Sequence, residues 1–461
     1  MTSGRWNPLT GRVRPGTYIN VNGVAADNVS YGTRGIVLVP LINFGWGGDG
    51  HILAVTKDSI GKNVPELGGT PGSVLLINEA LKGAATVKAY IINKGTKATA
   101  AITIKEATVD PEAAAVVLTA TAKYGGTKGN SLTVKSVANT TNGFDVTIYL
   151  GTEAVESFNG LSTASDLIAA GSEYIDFTCT ATGEALAAFA GTSLTGGTDG
   201  SATNTDIANM LDRVESEKWS AMAFPLTDSA LQTAVISKIE YLRETIGKSV
   251  QAVLPNAAAS AADYEGIINL VNGVVLEDGT TLTAAQATAW VAAVTAGADE
   301  TMSNTYRVYP GADTVNGVLS NEAIEAAIGN GQMCFSYNDD GAPQIEYDIN
   351  SLHTFTTDRP KQYSKNKIIR IIDSLCDTIR GTFPPNVFPN NTLGWDRMDS
   401  LGKTILQRYD ENGGNGCIRD VDYDNDFKVD RERSSGDSVY VDVAITPVDA
   451  AEKLYFTVLT R

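Results

Sequence analysis

Residues 35–44 read Gly-Ile-Val-Leu-Val-Pro-Leu-Ile-Asn-Phe. The run lacks the alternation of a half-buried strand, so both faces of an extended segment here need apolar cover. That is the pattern of a strand inside a sheet covered on both sides, which argues for an α/β fold. The next segments agree, since 73–83 read as a helix and 87–93 as a second strand. At about half the roughly 20 residues a bilayer requires, the run predicts no membrane insertion.

The texture changes at about Ala107. Through Gly200, Thr, Ala, Val and Gly dominate, and short alternating segments recur at 116–123, 131–137 and 144–150. Turn residues such as Asn142-Gly143 separate them, which predicts a small β-sandwich inserted into the α/β part. The α/β core is then expected over 26–106 and 201–355. There Leu231, Val235, Ile239, Leu242 and Ile246 recur at helical spacing, residues 250–254 read as a buried strand, and 283–296 as an Ala-rich helix. Residues 356–447 form a C-terminal α+β part. Its helix is expected over 364–382, capped by Ser364, striped by Ile368, Ile371, Ile372, Leu375 and Ile379, and stopped by Pro384 and Pro385. The fold class is thus a mixed α/β and α+β multidomain chain with an inserted sandwich.

The two ends behave differently. Residues 1–25 are a polar arm with a short alternating stretch around Tyr18, Ile19 and Val21. Near the C-terminus, 438–447 alternate, with Val439, Val441, Val443 and Ile445 on one face. A last segment, 453–460, alternates again, with Leu454, Phe456 and Val458 on one face. A terminal strand with two partly apolar faces needs neighbours, from its own sheet or from another subunit's edge. The arm 448–461 is therefore read as a donor and 438–447 as an acceptor.

Composition removes several functions. The 461 residues carry 35 Lys+Arg against 53 Asp+Glu, a formal charge of −18, which argues against nucleic-acid binding. Residues 1–350 hold about −16 of it, and 351–461 are nearly balanced, so the ends are expected to meet different partners. Only His51 and His353 are present, and the four cysteines lack C-x-x-C spacing, so neither zinc nor redox chemistry is expected. Gly45-Trp-Gly-Gly-Asp-Gly50 fits a dinucleotide fingerprint but is not followed by an apolar helix, and Trp46 would crowd a phosphate. Gly247-Lys248-Ser249 lacks the first glycine of a phosphate loop. Asp420, Asp422, Asp424 and Asp426 lack the glycine and final glutamate of a calcium loop, and read more simply as a turn or strand face, with a weak cation site left open. No cofactor and no enzymatic activity are expected.

The order of several strings then carries a resemblance over more than 400 residues. These are Arg14-Pro-Gly-Thr-Tyr18, residues 33–46, Leu194-Thr-Gly-Gly-Thr-Asp-Gly200, Asn272-Gly-Val-Val-Leu-Glu-Asp-Gly279, Ile349-Asn-Ser-Leu-His-Thr-Phe355 and the helix 365–380. In these the chain resembles the tail sheath proteins of contractile phage tails and phage-tail-like bacteriocins of Gram-positive bacteria. The resemblance implies stacked hexameric rings polymerised around an inner tail tube protein and bounded by baseplate and tail terminator proteins. It also implies a metastable sheath that contracts to drive the tube through a cell envelope, in a particle made in a bacterial cytoplasm and released by lysis. By the same resemblance both arms donate strands to neighbouring subunits, the insertion lies outside, and the 364–382 helix faces the tube with Lys365, Lys367 and Arg370. The rival reading is an acidic, self-associating surface or adhesin-like protein, which would call for an export signal that the N-terminal residues do not supply. A carboxylate hydrolase is a more distant one.

Overall fold

A computed structural model describes residues 35–109, 112–141, 143–387, 394–435 and 437–458. The chain separates into a large body of residues 33–373 with 447–461, and a smaller one to which 374–446 belong.

The large body is built on a seven-stranded sheet. Its order is Gln332–Met333, Ile267–Leu270, Gln251–Pro255, Ala221–Ala223, Ile36–Ile42, Thr86–Ile92, Ile52–Thr56. Every neighbouring pair is parallel except the last, where Ile52–Thr56 runs antiparallel to Thr86–Ile92. Ile36–Ile42 sits inside the sheet, as its unbroken apolar run requires. Val37, Val39 and Leu41 enter one core and Leu38 the other.

The first core is roofed by the helix Ala284–Gly297, buried along nearly its whole length. Its alanines let it lie close to the sheet, and its one large ring, Trp290, stacks on Tyr309 with centroids 4.2 Å apart. The second face is covered by Asn204–Arg213 and Ser229–Glu240, whose apolar stripes join the second core. The latter helix continues as a π-turn to Ile246 and ends on Gly247 in the left-handed region (φ +79°). Gly247-Lys248-Ser249 is therefore a helix C-cap.

The sandwich packs a four-stranded sheet (Glu153–Leu161, Phe144–Leu150, Leu132–Ala138, Phe189–Ser193) on a three-stranded one (Ile175–Cys179, Val116–Gly125, Lys97–Lys105) around its own core. It begins earlier than the expected 107. Lys97–Lys105 alternates strictly between exposed and buried positions and pairs with Val116–Gly125. Two of its four inward side chains are alanines (Ala98 and Ala100, beside Ile102 and Ile104), which weakens the hydrophobic signal over its first half.

The sandwich joins the body at a narrow neck. Thr96 bridges Thr198 and Thr99 bridges Thr195, so the in-going and out-going strands are zipped together. The glycine-rich loop 45–50 supplies a wedge beside it. Trp46, fully buried, enters the sandwich core, donates from Nε1 to the Pro65 carbonyl at 2.8 Å, and meets Tyr124 and Tyr174. At Gly47 (φ +88°) a Cβ would collide with the Glu66 carbonyl and Ile91. The glycines serve this close seating.

In the smaller body the helix Trp395–Tyr409 packs on the strand Phe427–Ser435, which forms a hairpin with Ser438–Val443. Phe427 lies over Gly402, where a Cβ would fall inside its ring. Ser374 and Thr378 both reach the Tyr409 hydroxyl, at 2.9 and 2.8 Å.

Candidate assembly elements

The hairpin is held by charge and edge contacts. The Asp399 carboxylate accepts from the Val429 N–H at 2.7 Å, and the Arg433 guanidinium grips the Asp442 carboxylate from the facing strand, with Nη2 2.8 and 2.7 Å from its two oxygens. Arg433 also lies over the Tyr440 ring, 5.5 Å from its centroid. Among the described residues, Ser438–Val443 pairs along only one edge, with Phe427–Ser435. Val439 and Val443 are exposed and Val441 is half-buried. Ile445 lies past the end of this strand, so the expected 438–447 strand is shorter than its alternation suggests.

The C-terminal segment lies in the large body. It has no strand assignment through 458, where a strand over 453–460 was expected. The physical reason is the lack of a partner, because a strand is defined by its ladder and not by alternation alone. Instead the segment is bare: Leu454, Tyr455, Phe456 and Val458 are 68–90% exposed. Scattered exposed apolar residues are ordinary, but four in five consecutive positions form a patch that calls for cover. Tyr18, Ile19 and Val21, the N-terminal candidates, lie outside the described residues.

The three cations expected on an exposed, tube-facing helix surface are placed otherwise. The helix spans Asn366–Val387 and runs through Pro384 and Pro385. Each proline gives up its i→i−4 hydrogen bond there, but the helix continues to Val387 and is not stopped by them. Ser364 is not its cap, since its hydroxyl donates to the Lys361 carbonyl in a preceding 3₁₀ turn. Lys367 is buried and Arg370 is 1% exposed. Arg370 donates from Nη1 to the carbonyls of Met302 (2.6 Å) and Asp299 (3.3 Å), and its Nη2 lies 3.5 Å from the Asp348 carboxylate, itself fully buried. The expectation of an exposed basic face at Lys367 and Arg370 is therefore corrected. The apolar stripe is legible in sequence, but the acid and carbonyls that engage Arg370 are distant in it.

One turn further, Asp373 takes both Arg243 terminal nitrogens at 2.9 Å. Burial opposes the Arg243 charge, but the Asp373 carboxylate outweighs it and holds the guanidinium pKa above its usual range.

Lys365, the third cation, is largely covered. It pairs with Glu452 and, at 3.3 Å, with Asp449, and stands over the Tyr347 ring. Burial works against its charge, yet the Glu452 carboxylate holds its pKa above the usual lysine range. Burial alone would raise the Glu452 carboxyl, but the Lys365 ammonium and the Thr305 and Ser303 hydroxyls outweigh it and lower its pKa.

The remaining motifs serve local structure. Asp422 and Asp426 close a turn, with Asp422 accepting from Asp424 N–H and Asn425 Nδ2, while Asp424 pairs with Lys403. Among the described residues no group of three or more His, Cys, Asp or Glu is placed to hold a metal ion. No helix there is long and apolar enough to cross a membrane.

Comparison with known families matches three consecutive parts of the chain. Residues 93–199 match the phage tail sheath protein beta-sandwich domain, 200–351 the central domain, and 358–461 the C-terminal domain. The phage-like element PBSX protein XkdK of Bacillus subtilis is 34% identical, covering 99% of both chains. A sheath tail protein of Desulfitobacterium hafniense, of known structure, is 35% identical with a TM-score of 0.78, covering 96% of this chain and 99% of that one. The helical sheath of the anti-feeding prophage in its contracted state shares the fold at 13% identity and a TM-score of 0.55.

Proposed function

This chain belongs to the phage tail sheath proteins, structural components of contractile tails and not enzymes, and on that premise we propose how it assembles and works. It polymerises as stacked hexameric rings around an inner tail tube, between baseplate and terminator proteins. The extended sheath is metastable, and its contraction drives the tube through a target envelope. The particle is assembled in a bacterial cytoplasm and leaves by lysis. Family membership displaces the surface-adhesin reading.

The observation that carries this reading is that one chain presents both an exposed apolar terminal segment and, among the described residues, a strand paired along one edge only. An exposed apolar C-terminal segment at 454–458 stands for the donor, and the outer edge of Ser438–Val443 for the acceptor. Strand addition to such an edge uses main-chain hydrogen bonds, with alternate side chains setting register. Covering an apolar side chain returns about 1.5–3 kcal/mol. Ordering the backbone costs about 1–2 kcal/mol per residue. The two are similar in size, so each exchange is weak singly and strong when multiplied over a lattice. Weak individual contacts suit a sheath that must rearrange without coming apart. The N-terminal arm, through Tyr18, Ile19 and Val21, is assigned a second donated strand. The sandwich is assigned to the outer surface and the C-terminal α+β part to the tube, without Lys367, which is buried, and Arg370, whose charge is engaged internally.

Deleting 453–461 tests the reading. The expected product is a folded chain that forms no tubes by negative-stain microscopy and stays slow-sedimenting. Normal sheaths from the truncated chain would overturn it.

A further inference from the structure

Exposure changes abruptly along the C-terminal segment. The Glu452 side chain is 8% exposed, and two and three residues later Leu454 is 68% and Tyr455 90% exposed. A carboxylate that deeply covered needs a reason, because burying an unpaired one is costly.

The reason is a set of partners from two separate elements. Oε1 of Glu452 accepts from the hydroxyls of Ser303 (2.8 Å) and Thr305 (2.6 Å), both on the loop after the Ala-rich helix. Oε2 takes the ammonium of Lys365, one residue before the long helix begins. Both carboxylate oxygens are thus engaged. The hydroxyls are themselves fixed: Ser303 Oγ lies 3.0 Å from Thr305 Oγ1, and Thr305 Oγ1 accepts the Asp348 N–H at 3.0 Å. Asp348 in turn takes the Asn304 N–H and Asn366 Nδ2, both at 2.9 Å, and faces Arg370. On either side of Glu452 in the chain, Asp449 and Lys453 help to wall a cavity of about 440 Å³ with Tyr347, Ile349 and Leu352.

We propose that Glu452 is the root of the C-terminal arm, clamped by Ser303, Thr305 and Lys365, so that the chain through 452 moves with the large body and only 453–461 swings to a second copy of this chain. Glu452 is a positioning residue: it touches no neighbour itself and sets where, and with how much free chain, the strand departs. This rests on the assembly reading above.

The clamp matters because effective concentration falls roughly as the −3/2 power of free length. Nine residues lie beyond Glu452, and releasing the segment back to Val448 would make fourteen. That alone lowers the local concentration of the arm at its acceptor by about twofold, before any loss of direction. The same clamp ties the arm to Lys365, the residue just before the long helix, so a displacement of that helix end is passed to the arm.

The test uses the full-length chain with Glu452→Gln, which keeps shape and removes charge, and Asp313→Asn, an exposed carboxylate elsewhere on the large body, as the control. Hydrogen exchange of monomers should show residues 448–452 exchanging roughly tenfold faster in Glu452→Gln, the scale of a lost charge-assisted bond. Thermal unfolding should stay near that of the parent. The concentration at which half the protein sediments as sheath should rise about twofold or more. Asp313→Asn should do none of these. If deleting 453–461 abolishes tubes while Glu452→Gln changes neither exchange nor polymerisation, the clamp is wrong and the arm reading stands. If the deletion leaves tubes intact, the arm reading fails. Exchange at 448–452 then judges the clamp alone, an unchanged rate overturning it.

Discussion

Replacing Arg370 with Met separates a structural cation from a tube-binding one. The guanidinium is 1% exposed and gives the Met302 carbonyl a 2.6 Å bond, the Asp299 carbonyl a 3.3 Å bond and the fully buried Asp348 carboxylate a contact at 3.5 Å. Methionine fills much of the volume but donates nothing. Removing one partner of a buried ion pair costs about 3–5 kcal/mol, because the other charge stays behind. The Asn304 N–H and Asn366 Nδ2 continue to serve Asp348 and soften the loss, while the two carbonyls gain no substitute. We expect destabilisation of about 3 kcal/mol, which for a body of a few hundred residues lowers Tm by roughly 4 °C. Thermal unfolding of the monomer, followed by circular dichroism with no tube protein present, measures it. A solvated cation would cost about 0.5 kcal/mol or less. A variant that unfolds with the parent yet loses binding to the tube protein would refute the burial argument and restore the tube-facing assignment.

Two further perturbations probe the scaffold. Asp206 closes a capping box with Thr203 and pairs with Lys94 at 2.8 Å; the Lys94 ammonium foremost, with Thr203, lowers its pKa from 3.8 to about 2. A depressed folded pKa means a stabilisation fully present above about 4 and lost as pH falls through 2, so Asp206→Asn should flatten the acid-unfolding curve between those values, and an unchanged acid limb would contradict it. Gly402→Ala pushes a methyl into the Phe427 ring and should cost about 1–3 kcal/mol by overpacking. It should also speed amide exchange in the 427–443 hairpin, and a variant with parental stability and exchange would show that the ring yields freely.

Much of the framework is legible because it is written locally. The run at 36–42 declares a doubly covered strand, the alanines of 284–297 a helix that lies close, and the alternation at 116–150 a sandwich. What escapes is carried by distant partners or weak side chains. The strand 97–105 alternates well, but its inward alanines give little contrast, so it reads as the edge of the preceding domain. Lys367 and Arg370 look solvated because their helix neighbours are apolar, while Asp348 and the 299–302 carbonyls that engage Arg370 lie on other elements. The Glu452 root is invisible for the same reason: Ser303, Thr305 and Lys365 lie far from it in sequence and meet it only after folding. The terminal segment alternates like a strand, yet among the described residues no strand lies beside it, so the pattern alone does not make one.

The narrow neck at Thr96–Thr198 and Thr99–Thr195 has a bearing on how such chains diversify. Because both strands leave the body side by side, the seven-stranded sheet is indifferent to what is built beyond them, and the sandwich can grow, shrink or be exchanged without disturbing the sheet's registers. The Trp46 wedge sets the limit on that freedom. A replacement that offers no slot for the indole would leave it bare and turn a fixed outboard domain into one hanging from two threads. Grafting at this position should therefore be designed around the indole socket first and the chain junctions second.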